Sequence, residues 1–257
     1  MKIGQFNTSA AALQKRIKAH EKYGSSDLNE WIFEHLNLKN SLSVLEIGSG
    51  IGKQSLPIAQ RVGQSGVVLA TDISREALEI LQKASQKLKF EKQLHTLLVD
   101  LDFLTSKIKK QKFDRILASF SLYYTRNPQA LFRNLQGLLE ANGFLFFCGP
   151  SQHNNEELKK FHLALDPDQQ LAEAGGAIFM EKVGQEMAYD FFSKVEVFTF
   201  ENTLQFNSAA ALYQYWSSYN LYDVNLDAGF RKAAQQHFKK HSKFKTVKRI
   251  IGIKATK

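Results

Sequence analysis

The sequence has one cysteine, no apolar run long enough to span a membrane, and no acidic residue after Asp227. Each absence excludes something. With Cys148 alone, an intramolecular disulfide and a cysteine-rich metal site are both ruled out, which suits a reducing compartment; no metal is expected. Cys148 itself lies in the apolar run FLFFC and reads as a packing residue. No stretch of about 18 uninterrupted apolar residues is present, which argues against a membrane-spanning helix. The opening MKIGQFNTSAAALQKRIKAHEKYG lacks the apolar run of a signal peptide, so a cytoplasmic location with no membrane partner is expected. No internal repeat or low-complexity linker interrupts the 257 residues, which at 44% hydrophobic and 23% charged can fill one core; a single domain with insertions is expected.

The net charge of +9 is unevenly placed. Residues 231–257 hold ten basic residues, Arg231 to Lys257, and no acid, so residues 1–230 carry a net −1. Such a segment attracts an anionic substrate, RNA or an acidic carrier protein, although most basic runs are solvated faces.

From Ser43 to Pro150 short aliphatic runs alternate with stretches of helical spacing, the pattern of βα units around a parallel sheet. Strands are expected at 43–48, 67–72, 94–100 and 114–119, each continuous enough to be buried on both faces. A fifth, GFLFFCG (143–149), follows Asn142-Gly143, a turn expected to end the preceding helix. Ser74 is placed to cap a helix carrying Leu78 and Leu81, and Asn127-Pro128 is an N-cap and N1 pair for another. Later strands are expected at 191–206 and 245–257, with helical excursions between them. The fold class is therefore α/β, a doubly wound, mostly parallel seven-stranded sheet with an antiparallel last strand and helical insertions.

The first strand runs into Glu46-Ile-Gly48-Ser49-Gly50-Ile-Gly52-Lys53, and then into a helical stretch. Glycines suit a sharp strand-to-helix turn, which needs positive φ, and a ligand lying against it needs backbone without Cβ. Asp72, 20 residues past Gly52, ends the second strand, where a carboxylate can accept from both hydroxyls of a ribose. Asp100 ends the third. In a doubly wound sheet these strand ends line one crevice, so the loop, Asp72 and Asp100 are expected to meet one ligand. Alternatively, Asp72, Asp100 and Asp102 act only as local caps. A dinucleotide is the competing ligand, but the third glycine falls one residue too early for G-x-G-x-x-G, with Lys53 in its place.

VLEIGSGIGKQ, VVLATDIS, LLVDLDF and FDRILASFSLYY, followed by NGFLFFCGP, resemble in order the successive motifs of class I S-adenosylmethionine-dependent methyltransferases. The resemblance covers residues 43–150 closely and the closing IIGIKATK less specifically. It implies S-adenosylmethionine as cofactor, with Glu46, Ser49 and the Gly48, Gly50 and Gly52 loop under its methionine and ribose portions. It further implies that Asp72 holds the ribose hydroxyls, Ile73 packs on adenine, and Asp100 with the Leu101 backbone meets the adenine amino edge. Ser119 would lie beside the methionine ammonium. Residues 1–42 look like that family's helical lid, with Tyr23 closing on the methionine end; 43–150 would be the cofactor-binding core, and 151–190 and 207–242 helical caps.

Methyl transfer from a sulfonium needs alignment and exclusion of water rather than a nucleophile or metal. A hydroxyl acceptor would need a base, for which His20, Tyr124 and His153 are candidates, each equally readable as a surface or packing group. The fourth strand ends in SFSLYY rather than the Asn/Asp-Pro-Pro-Tyr/Phe tetrad of enzymes that methylate adenine N6 or glutamine amides. A small-molecule acceptor is therefore expected, and the basic segment admits an anionic one. Nucleic acid is the less favoured partner, in an RNA methyltransferase using that segment; a non-catalytic cofactor-binding interaction protein is the third reading. Oligomeric state and the choice among O-, N- and C-methylation are open.

Overall fold

Aliphatic runs bounded by Gly, Asp or Ser become the strands of one sheet in a computed structural model that describes residues 10–108, 111–167, 169 and 175–257. The first five are β1 (Ser43–Ile47), β2 (Val67–Asp72), β3 (Leu94–Leu98), β4 (Phe113–Ser119) and β5 (Leu139–Pro150), followed by β6 (Lys194–Phe206) and β7 (Phe244–Thr256). Their order is β3-β2-β1-β4-β5-β7-β6. Neighbours from β3 to β5 pair in parallel, and β7 runs antiparallel to β5, with Cys148 opposite Gly252. The chain runs outward from β1 to β3 and then returns to β4 on the other side of β1. That reversal opens a crevice at the carboxyl ends of β1 and β4, where ligands bind in sheets of this kind.

The chain divides into two compact units. The sheet unit comprises Asn29–Gln152, Ala174–Thr199 and Ile250–Lys257. In it α3 (Ser55–Val62), α4 (Arg75–Lys87) and α6 (Pro128–Leu138) connect parallel strands. The caps are those expected from sequence: Ser74 Oγ accepts from Ala77 N, and Asn127 Oδ1 accepts from Ala130 N. Leu131, Leu135 and Leu138 turn inward to Phe113, Leu145 and Phe147, removing from water the apolar surface that dominates the folding free energy. Residues Asn29–Leu36 complete a helix begun at Leu28, whose Ile32 and Leu36 are fully buried and whose Trp31 ring lies 5.6 Å from that of Phe146. Gly252 leaves room for that indole: a Cβ there would stand 2.4 Å from it.

The helix before β5 does not run to Asn142-Gly143. It ends at Leu138, where Leu139 turns extended and fully buried, and β5 begins. Register then jumps, Phe113 facing Leu139 and Arg115 facing Phe144, so Asn142-Gly143 is part of an irregularity inside the strand. A Cβ on Gly143 would come within 2.9 Å of the Phe113 carbonyl oxygen. Burial of Leu139 outweighs the local turn signal.

The helical unit comprises Met1–Leu28, His153–Glu173 and Phe200–Arg249. It contains α1 (Ala10–Tyr23), α7 (Glu156–Leu163), α10 (Ala209–Ser217) and α11 (Asp227–Lys240). Its core centres on Trp216, stacked on Phe230 with ring centroids 4.0 Å apart, and on Tyr215 and Phe206. The aromatic stretch at 212–222 is thus mainly helix packing; Tyr213 and Tyr222 donate their hydroxyls to Asp227 Oδ1. Among the described residues no helix is long and apolar enough to cross a membrane.

Candidate cofactor site

The turn after β1 is built around three glycines with positive φ, Gly48 (77°), Gly50 (52°) and Gly52 (90°). The N–H groups of Gly48 and Ser49 both donate to the Thr71 carbonyl, at 2.8 and 2.9 Å, which pulls the loop against the end of β2. Gly50 N then donates to Asp72 Oδ2 at 2.7 Å, and Ser74 N donates to Asp72 Oδ1 at 2.8 Å. Both carboxylate oxygens are thereby oriented by backbone, and each retains a further acceptor position. The glycines differ in what excludes a side chain. A Cβ on Gly48 would meet Ser121 Cβ at 2.5 Å and one on Gly52 would meet Leu81 Cδ1 at 2.2 Å, whereas at Gly50 nothing lies within 4 Å. Gly48 and Gly52 are required by packing; Gly50 borders open space.

Beneath the loop Glu46 is buried, with Ser55 Oγ donating to its Oε2. Its Oε1 has no partner among the described residues, nor has Ser49 Oγ. Burial pushes the Glu46 carboxyl up to about 8; the Ser55 bond opposes this, and the nearby Asp72 charge adds to it. Across the crevice, β4 ends at Ser119, and Phe120 takes a positive φ of 58° with its N–H on the Cys148 carbonyl. Ser121 Oγ donates to the Ile47 carbonyl at 2.6 Å, tying the end of β4 to that of β1. A bulky residue in this backbone region is strained, and such strain clusters at functional sites. No residue-type signal in SFSLYY announces it.

Asp100 follows β3 and caps a 3₁₀ turn at Leu101–Phe103 by accepting from Asp102 N. Its Oδ2 also receives Arg126 Nη2 at 2.8 Å, while Arg126 Nε donates to Asp102 Oδ2 at 2.8 Å. Burial works to raise the Asp102 carboxyl, but donors from Thr125 Oγ1 and Arg126 outweigh it and hold it below its ordinary range. Arg126 was not legible as a site residue, because it reaches Asp100 from the loop after β4, 26 residues on. Ile73, beside Asp72, is 72% exposed, and Leu101 is partly buried against the core.

Glu46, Ser49, the three glycines, Asp72, Ile73, Asp100, Leu101, Ser119 and Tyr124 all belong to the sheet unit, at or just beyond the carboxyl ends of β1 to β4. Tyr124 is half-exposed, in a 3₁₀ turn after β4, with Tyr123 beside it at 4.7 Å. Tyr123 is partly buried, and that desolvation raises its hydroxyl well above the ordinary phenol value. The remaining candidates belong to the helical unit. There His20 meets the Tyr215 ring edge-on at 5.8 Å, Tyr23 packs on Phe206 at 5.0 Å, and His153 pairs with Glu156 at 3.3 Å. No group of His, Cys, Asp and Glu among the described residues is arranged to hold a metal.

Residues 45–145 match the family model of a methyltransferase domain. A stretch of 105 residues, 40% of the chain, is 31% identical to part of the hybrid PKS-NRPS synthetase poxE of Penicillium oxalicum, of which it spans only 3%. The structure is similar to that of the YcgJ protein of Bacillus subtilis, with a TM-score of 0.59 at 12% identity over 89% of this chain and 97% of that one. It is also similar to a SAM-dependent methyltransferase of Aquifex aeolicus, with a TM-score of 0.53 at 15% identity over 73% and 88%. Sheet order and a glycine loop at the strand reversal define the class I methyltransferase fold. Residues 45–145 are thus similar to a methyltransferase domain, and the fold around them is the one that S-adenosylmethionine-dependent methyltransferases such as the Aquifex protein share.

The residues present fit that cofactor. Open space at Gly50, an exposed apolar side chain at Ile73, and buried Glu46 Oε1 and Ser49 Oγ without partners among the described residues are what a polar ligand with one flat apolar face would complete.

Proposed function

We propose that the chain transfers a methyl group from S-adenosylmethionine to a small-molecule acceptor. The observation that carries this reading is the Asp72 carboxylate, fixed by Gly50 N and Ser74 N beside the glycine loop and free to accept from a ribose diol. When bound, the cofactor supplies a methyl group on a sulfonium whose sulfur leaves neutral. The chain's own task is then alignment and exclusion of water. Asp72 would hold the ribose, and Ile73 would cover adenine. Asp100, with its orientation set by Arg126, and the Leu101 backbone would meet the adenine amino edge. Glu46, Ser49, Ser119 and the glycine loop would take the methionine end. Tyr124, half-exposed after β4, is the candidate for contact with the acceptor, ahead of His20 and His153.

A small-molecule acceptor is supported by the absence of the Asn/Asp-Pro-Pro-Tyr/Phe tetrad and by the partial likeness to a hybrid PKS-NRPS synthetase. The basic segment gives less support to RNA than its charge suggests. Arg231 pairs with Asp227, Arg249 with Glu157 and Glu201, and Lys254 lies over the Phe144 ring. Screening candidate acceptors with radiolabelled cofactor tests the reading: label transferred to small organic molecules supports it, and label transferred only to RNA in a salt-dependent manner replaces it.

A further inference from the structure

We infer that the exposed side of α11 and the turn after it, which carry Lys232, Lys239, Lys240, Lys243 and Lys245, form a docking surface for a carboxylate-rich segment of a partner protein. The inference goes beyond the methyltransferase reading and does not rest on it. All five side chains are exposed, and the sequence has no acid after Asp227 to neutralise them. On α11 the exposed residues Lys232, Gln235, Gln236, Lys239 and Lys240 recur at three- and four-residue spacing and so share one face, while Phe230 and Ala234 are buried on the other. From Lys232 to Lys240 that face is about 12 Å long. Beyond it His237 Nε2 donates to the Lys243 carbonyl at 3.0 Å, and Phe244 packs on the Phe161 ring at 5.3 Å. The turn is thereby held against the end of α11, which keeps Lys243 at the last turn of the helix.

These cations are uncommitted. The ion pairs of the helical unit use His153, Lys160, Arg231 and Arg249, so none of the five lysines has an acid partner among the described residues. Helix polarity accounts for only part of the cluster. Lys239 and Lys240 stand in the last turn, where a cation offsets the unpaired carbonyls, but Lys232 lies in the first half of the helix and Lys243 and Lys245 lie beyond its end. Like charges gathered on one face repel, and such a surface lowers its free energy when opposite charge arrives.

The chemistry of the surface selects among polyanions. Arg231 is committed to Asp227 at 2.8 Å and lies over the Tyr213 ring at 3.5 Å, and Arg249 is committed to Glu201 at 2.9 Å. The planar forks that grip phosphates are therefore spent, and what remains are lysine point charges and two amides, which match separate carboxylates. No exposed Phe, Tyr or Trp stands among the lysines: Phe238 and Phe244 pack into the core of the unit, which leaves no platform for stacking RNA bases. For the same reason no apolar side chain is placed there to enter a membrane surface.

The test uses the full chain, with a fluorescent glutamate oligomer, single-stranded poly(U) RNA and phosphatidylserine vesicles as probes at physiological ionic strength. The glutamate oligomer is expected to bind the wild type saturably and more tightly than either other probe. Affinity should fall about tenfold or more in the combined variant Lys232→Gln, Lys239→Gln, Lys240→Gln and Lys243→Gln, and should survive when the same four lysines are changed to arginine. The combination Lys83→Gln, Lys87→Gln, Lys89→Gln and Lys92→Gln, at exposed positions of the sheet unit, removes the same charge and should leave affinity within about twofold. A cooperative thermal transition reports that each variant is folded; if the α11 combination is not, the pair Lys239→Gln and Lys243→Gln carries the same test with a smaller loss. Equal loss in the two Gln combinations, or no binding of the oligomer to wild type, would mean that α11 presents only a solvated face, and the inference fails. Tighter binding of RNA or of vesicles, lost in the α11 combination, would give the surface to a nucleic acid or a membrane and overturn the acidic-protein assignment.

Discussion

Gly50 donates its backbone N–H to Oδ2 of Asp72 at 2.7 Å, so the residue that the ribose would lean on and the loop that would run beneath it are held by one bond. The loop is not a passive cradle. Its middle is positioned by the acid at the end of the neighbouring strand, and that acid is positioned in return.

Substitution at Gly52 and at Gly50 should therefore separate folding from binding. Gly52→Ala places a methyl 2.2 Å from Leu81 Cδ1 at a φ of +90°, and should lower stability by about 1–3 kcal/mol, read as a drop in the thermal midpoint. Gly50→Ala has open space around it and a milder φ of +52°, so about 1 kcal/mol of strain is expected while binding of S-adenosylhomocysteine weakens more than stability does. Equal effects at both positions would mean that the open space at Gly50 is not used by the cofactor.

Much of this site was legible from spacing, because a βαβ unit places strand, turn and acid at nearly fixed intervals. Ser74 and Asn127 likewise announced their helices through side chains that cap locally. What stayed hidden was set by distant contacts. Leu139 is drawn into the core before the Asn142-Gly143 turn, Arg126 reaches back to Asp100 and Asp102, and Phe120 is held at positive φ by the pairing of β4 with β5. Division into two units was also not legible, since periodicity along the chain does not say which segments cluster.

Glu46 should make stability depend on pH. Its folded pKa, about 8, lies above the ordinary carboxylate value of 4.5, so its contribution is fully present below pH 4.5 and is lost as pH rises through 8. Glu46→Gln should flatten that slope and stabilise the protein above pH 8 by a few kcal/mol, on the order set by the shift. Denaturant unfolding from pH 5 to pH 9 checks it, and parallel profiles for the two proteins would refute it.

Arg126→Ala should have little effect on the thermal midpoint, because the side chain is 65% exposed and surface pairs contribute little. It frees Asp100 and Asp102 from their shared partner, so adenosyl binding should weaken and discrimination against an inosyl analogue should fall. Arg126→Lys cannot bridge both acids with a planar fork and should not restore it. Unchanged discrimination would show that Asp100 does not read the adenine edge.

The most direct test is calorimetric titration of the wild-type protein and Asp72→Ala with S-adenosylmethionine, S-adenosylhomocysteine and NAD. Both adenosyl ligands should bind the wild type, NAD should not, and loss of charge-assisted acceptors should weaken adenosyl binding in the variant by about a hundredfold. Binding of NAD alone, or adenosyl binding indifferent to Asp72, would contradict the account at its centre.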